Sequence, residues 1–171
     1  DFINENFNEL IKNGKIILTN LNVPNLSIKM YNQLLTSLDF WNKINGENIL
    51  IFQTDSCLCK KGINKINKLL NYDYVGAPWR FKIDDNTLGG NGGLSFRKKK
   101  AMIYIIKNKI YKNQNEDAFF SGQNISYPNF DIAKSLFSET IFSDNPIGIH
   151  KSWHHLSKND FNNLKQSCPE I

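Results

Sequence analysis

Asn48-Ile-Leu-Ile-Phe-Gln-Thr-Asp-Ser56 is the stretch on which the reading of the chain turns. Four apolar residues, Ile49 to Phe52, run straight into Gln53-Thr54-Asp55-Ser56. A short apolar run without amphipathic spacing predicts a strand buried on both faces. Its C-terminal end carries one carboxylate, Asp55. In open α/β sheets ligands bind beyond the carboxyl ends of the strands, so Asp55 is expected at the floor of a site.

Working outward, the chain reads as strands alternating with helices. Upstream, Phe2, Phe7, Leu10 and Ile11 suit one face of a short helix stopped at Asn13-Gly14. Ile16-Ile17-Leu18 predicts a buried strand over Lys15–Thr19. A helix follows from Ser27, with Tyr31, Leu34, Leu35 and Leu38 at helical spacing, and Asp39 is expected to cap a further turn. Downstream, Ile63, Ile66, Leu69 and Leu70 mark a helix, Tyr72–Gly76 a short strand, and Arg80–Gly90 a loop. Gly92–Arg97 predicts a third strand leading into a helix with Ala101, Met102, Ile105, Ile106 and Ile110 on one side. Glu116–Ser121 and the segment around Ile132–Phe137 are short helices, and Thr140–Phe142 a small strand. This alternation predicts a single α/β layered domain over residues 1–171.

Composition narrows the class of protein. A charged fraction of 22% and an apolar fraction of 40% are those of a globular chain. The longest apolar run, Ala101–Ile106, is far short of the roughly 18 residues of a membrane span. The net charge of +5 does not by itself argue for nucleic acid: Arg80 and Arg97 are the only arginines, and the lysines read as solvated faces. Three cysteines, an odd number, with no secretory signal in the chain predict reduced thiols and a cytoplasmic setting. Cys57 and Cys59 could join His154 and His155 around zinc, although their spacing is not the usual one and buried thiols are the simpler reading.

Five motifs carry chemistry, each with a simpler structural alternative. In Gln53-Thr54-Asp55 the carboxylate can hold a hard cation such as Mg²⁺ or Mn²⁺, or merely cap a turn. In Asp73-Tyr74-Val75-Gly76-Ala77-Pro78-Trp79 the indole suits stacking on a sugar or base, or a core position. Gly89-Gly90-Asn91-Gly92-Gly93-Leu94-Ser95-Phe96-Arg97 lets backbone approach a ligand, or forms a flexible turn. The carboxylates of Glu116-Asp117 can supply a general base, or simply favour a helix start. Gly148-Ile149-His150-Lys151-Ser152-Trp153 presents an imidazole from a restricted turn, as a metal ligand or a phosphate contact.

Taken in order with Phe137-Ser138-Glu139, these motifs resemble a poorly characterised glycosyltransferase-like domain family, itself similar to the GT-A nucleotide-sugar transferases. The resemblance runs from about Trp41 to Trp153. It implies a GT-A-like, Rossmann-like central mixed sheet flanked by helices. It implies transfer of a sugar from a nucleoside-diphosphate donor, in the first instance a UDP-sugar, to a hydroxyl of a carbohydrate or glycan acceptor. Asp55 takes the place of the last carboxylate of the Asp-x-Asp metal motif, with Gln53 where the first would stand, and His150 completes the shell of Mn²⁺ or Mg²⁺. Gln53, Thr54, Asp55, Ser56 and Lys151 are then the donor-binding group, and Trp79, Asn91, Gly92, Gly93, Arg97 and Trp153 the substrate-binding group. Asp117 is implied as the base of an inverting reaction, with Glu116 holding a hydroxyl. With one strand expected before Asp55, the part that holds the nucleoside base is either short or trimmed. A carbohydrate-binding or scaffold domain of the same fold, with weak or no catalysis, is the alternative.

Overall fold

The structure, a computed structural model, describes residues 2–81 and 89–171, the side chain of Asn4 excepted. The helices are α1 (Phe2–Lys12), α2 (Ile28–Leu35), α3 (Leu38–Lys43), α4 (Lys99–Asn108), α5 (Glu116–Ser121), α6 (Phe130–Leu136), α7 (Ser152–His155) and α8 (Lys158–Ser167), with a 3₁₀ helix over Lys60–Asn71. The strands are β1 (Asn48–Phe52), β2 (Ser56–Leu58), β3 (Tyr74–Gly76), β4 (Leu94–Lys98), β5 (Phe137–Ser138) and β6 (Gly148–His150). The chain is thus mixed α/β, as expected. Its strands form two small sheets: β1-β4-β3, antiparallel throughout, and β2-β6-β5, in which β2 and β6 are antiparallel and β5 and β6 parallel. Most of the expected 80–90 loop, residues 82–88, lies outside the described residues.

Several local expectations need correction. β1 is an edge strand, not one buried on both faces: among the described residues it pairs only with β4, and Phe52 is 71% exposed. The buried central strand is β4, where Leu94, Ser95, Phe96 and Arg97 are all inaccessible. No strand forms over Lys15–Thr19. The N–H groups of Gly14 and Lys15 instead bond back to Ile11 and Leu10 of α1, closing a C-terminal cap around Gly14 (φ 66°), and Ile17 runs on exposed. The small strand after α6 is Phe137–Ser138 rather than Thr140–Phe142. Ile110 falls beyond α4 and is exposed. Ser37, not Asp39, caps α3: its hydroxyl accepts the Phe40 N–H, while Asp39 pairs with Lys43.

The core has three parts. Leu69, Val75, Leu94, Phe96, Leu136, Phe137 and Ile147 fill one side of β3–β4. Trp41, Tyr74, Met102, Ile105, Phe119 and Phe120 fill the other, against α3, α4 and α5. Ile149 and Leu164 gather around a disulfide between Cys59 and Cys168. That bond corrects the expectation of reduced thiols, and with it goes the argument for a reducing, cytoplasmic compartment. It also occupies one of the two cysteines considered for zinc. The two half-cystines are 109 residues apart, and closing a loop of about that length removes ~4–5 kcal/mol of chain entropy from the unfolded state. Cys168→Ser is therefore expected to lower unfolding free energy by about 2–5 kcal/mol, read as an earlier urea midpoint that matches that of the wild type under dithiothreitol. Among the described residues no helix is long and apolar enough to cross a membrane.

Candidate functional site

Strand register assembles the site. Because β1 and β4 run antiparallel with Phe52 opposite Leu94, the residue after β1 meets the residue before β4. The Gln53 N–H donates to Gly93 O (2.8 Å), and Ser56 Oγ donates to the same carbonyl (3.1 Å). The chain turns at Thr54-Asp55 into β2, where Ser56 lies opposite His150 of β6. The Lys151 N–H then donates to Asp55 O (3.1 Å). Parallel pairing of β5 and β6, with Ser138 beside Ile149, carries Glu139 alongside His150. Residues from positions 53–56, 91–93, 139 and 150–151 thus meet at one place.

That place is an open cleft of about 760 Å³. Gln53, Thr54, Asp55, His150 and Lys151 line it, as do Asn91, Gly93, Glu116 and Asp117, so nine predicted residues converge. Ser56 and Gly92 do not line the cleft: Ser56 contributes the hydroxyl that holds Gly93 O, and Gly92 the N–H that meets Asp117. Trp79 stacks on Phe81 (5.4 Å between ring centroids), and Trp153 is an exposed residue of α7; neither lines the cleft. Arg97 is fully buried, so its role as a direct substrate contact is withdrawn: its guanidinium forms a two-pronged ion pair with Glu116, through Nη1 to Oε2 and Nη2 to Oε1 (3.0 Å). Glu116 lines the cleft with both carboxylate oxygens engaged by that arginine.

The glycines serve this packing. A Cβ on Gly92 would lie 2.3 Å from Glu116 Oε1, and one on Gly93 would lie 2.3 Å from His150 Nε2. Their N–H groups are not free for a ligand, as the motif suggested. Gly92 N–H donates to Asp117 Oδ2 (3.2 Å) and Gly93 N–H to Asn91 Oδ1 (2.7 Å).

Two carboxylates differ in environment. Asp117 is pushed up to about 6 by burial and by the Glu116 charge, despite the N–H groups of Ala118 and Gly92 that favour its ionised form. Burial works on Asp55 in the same sense, but the Lys151 ammonium, 3.1 Å from Oδ2, and the His150 ring outweigh it and hold Asp55 below the usual carboxylate range. Asp55 Oδ1 is buried without a hydrogen bond among the described residues and lies 3.2 Å from His150 Nε2. Gln53 Oε1 is also 3.2 Å from Nε2. No group of three or more His, Cys, Asp or Glu side chains is placed to hold a metal among the described residues. The set that converges instead is one carboxylate, one imidazole and one amide oxygen. An oxygen-rich set with one imidazole suits Mn²⁺ or Mg²⁺, and the orphaned Oδ1 is where such an ion would find a ligand.

Sequence reasoning missed Tyr31, Asn32, Asn115 and a role for Glu139, all of which line the cleft. Asn32 accepts the Glu116 N–H (3.0 Å) and donates to Asn115 Oδ1 (3.3 Å), which ties α2 to the start of α5. Tyr31 was assigned to the apolar face of α2; burial, with the Glu116 charge nearby, raises its hydroxyl pKa. An acidic residue directly after a strand was the available signal for Glu139.

Over residues 16–150 the chain matches the family described as "Protein of unknown function (DUF5672)", and it belongs to that family. No match to the chain was found among curated proteins or among solved structures.

Proposed function

We propose that the protein is a metal-assisted glycosyltransferase that moves a sugar from a nucleoside-diphosphate donor, most simply a UDP-sugar, to an acceptor hydroxyl. The reading rests on the GT-A-like motif order and on one observation above all: a single cleft joins the Asp55–His150–Gln53 cluster to an Asp117 carboxyl raised to about 6. Its volume is that of a site for a small organic ligand. Asp55 and His150 would hold a divalent ion, which when bound would supply charge stabilisation for the leaving diphosphate. Lys151, 42% exposed at the cleft, is placed to add a second positive contact to the same anion. Asp117 takes the proton of the acceptor hydroxyl as its oxygen bonds the anomeric carbon, and the bond to the diphosphate breaks with inversion. Arg97 fixes Glu116, and with it the helix start that aims Asp117.

A second reading is a carbohydrate-binding domain without turnover. It draws support from Lys151, whose ammonium lies 3.1 Å from Asp55 Oδ2 and can itself serve as the partner of that carboxylate. Thermal melting with a panel of nucleotide sugars, with and without Mn²⁺, tests the proposal. Binding at about 100 times Kd adds ~2.7 kcal/mol to stability. That gain is expected only when Mn²⁺ is present, and not in Asp55→Ala. Equal stabilisation with and without metal, or none from any nucleotide, counts against the transferase.

A further inference from the structure

Glu139 has no part in the chemistry above, yet it is a buried carboxylate bonded directly to His150. It is 5% exposed. Burying a carboxylate costs several kcal/mol unless a partner compensates. Its hydrogen-bond partner among the described residues is His150, with Oε1 2.9 Å from Nδ1. A carboxylate offers no proton, so this contact places a ring proton on Nδ1. Nε2 faces Asp55 Oδ1 and Gln53 Oε1, each 3.2 Å away. Both oxygens are acceptors that a proton on Nε2 can serve, and a cation that took that proton's place would meet all three atoms. The inner set carries one negative charge, because position 53 is an amide.

Resting on the metal-assisted reading, we propose that Glu139 is a positioning residue of the metal site. It locks the Nδ1–H form of His150, turns Nε2 toward the ion, and supplies through the ring the second negative charge that Gln53 does not. Partners of this kind behind a ligating histidine change metal affinity about 10–100-fold when lost.

The test is Mn²⁺ titration of the intact protein by calorimetry, with ¹⁵N spectra of the His150 ring in the metal-free state. Glu139→Gln keeps the shape and removes the charge. It is expected to weaken Mn²⁺ binding about 10–100-fold and to shift the ¹⁵N resonance of Nδ1, a ring effect that a loss of packing elsewhere would not produce. Gln53→Asp, which leaves Glu139 intact, is expected to tighten Mn²⁺ binding, and in Glu139→Gln it is expected to recover most of the loss. Wild-type Mn²⁺ affinity in Glu139→Gln, or an unaltered ring spectrum, overturns the assignment while leaving the transferase standing. A wild-type protein that binds no Mn²⁺ overturns both.

Discussion

Asp117→Asn is expected to abolish most turnover while leaving the protein folded and able to bind its donor. A positioned base contributes about 10²–10⁴-fold to a rate, so sugar transfer in the variant should fall by that factor. The raised carboxyl gives this prediction a second arm. As the proposed base, Asp117 would work only when ionised, so wild-type kcat/KM should rise with pH up to about 6 and then level off. Below that value it should fall about tenfold per pH unit. The sign for stability is opposite. With a folded value of about 6 against the 3.8 of an ordinary aspartate, the fold favours the protonated acid. Its contribution is therefore fully present below the unfolded value and is lost as pH rises through the folded one. An asparagine is neutral at every pH. At pH 8 relief of the buried charge, ~2–3 kcal/mol, offsets loss of one of the two amide hydrogen bonds, ~1 kcal/mol. The variant should therefore melt no lower than wild type. Full turnover in Asp117→Asn, with donor binding retained, would favour the carbohydrate-binding reading or a different base.

The largest stability loss is expected at Glu116. Removal of its carboxylate in Glu116→Ala leaves the Arg97 guanidinium fully buried with no counter-charge. Burial on its own would make that guanidinium easier to deprotonate, but the charge and hydrogen bond of Glu116, with smaller contributions from Tyr74 and Tyr31, together more than reverse the effect. What remains after the substitution is a hydrogen bond from Nε to Ser95 Oγ (2.9 Å), a long one from Nη2 to Gly92 O (3.4 Å), and contacts over the rings of Tyr74 (4.9 Å) and Phe120 (5.5 Å). Breaking a buried pair on one side typically costs ~3–5 kcal/mol, a large part of the ~5–15 kcal/mol that holds a domain together. Urea unfolding should show the midpoint falling accordingly. Arg97→Met combined with Glu116→Leu should recover most of it, because paired apolar groups of similar volume need no solvation. A midpoint in Glu116→Ala close to wild type would mean that water or a shifted side chain reaches Arg97.

What could be read from residues alone was local. The Ile49–Phe52 run makes a strand wherever it is placed, and Glu116-Asp117 before an apolar pair marks the start of α5 to the residue. The cap at Gly14 and the Ser27 cap of α2 follow from side-chain and backbone preferences within a few positions. What could not be read was pairing. Nothing in Asn48–Ser56 says that one flank meets β4 and the other meets nothing, so an edge strand passed for a central one. The run Ile16–Leu18 has the composition of a strand, but a sheet partner, not composition, makes one. The tight seating of Gly92 and Gly93 against Glu116 and His150 depends on register across some 25–60 residues, and motif spacing does not encode it. Cysteine parity argued for free thiols because it counts residues without knowing which two come within bonding reach.

The Cys59–Cys168 bond turns residues 59–168 into a covalent ring. Asn91 to Asp117, Glu139 and His150-Lys151 all lie on that ring, while Gln53-Thr54-Asp55 hangs just outside it on the N-terminal strand. A single peptide-bond cut anywhere between 60 and 167 leaves one molecule joined through sulfur, so a nicked chain would still migrate as one band on a non-reducing gel and as two after reduction. A cut between 56 and 59 would instead release the segment that bears Asp55. After such a cut the half of the site contributed by β1 would be held by hydrogen bonds and packing alone, while the half contributed by the ring would keep its chain connectivity.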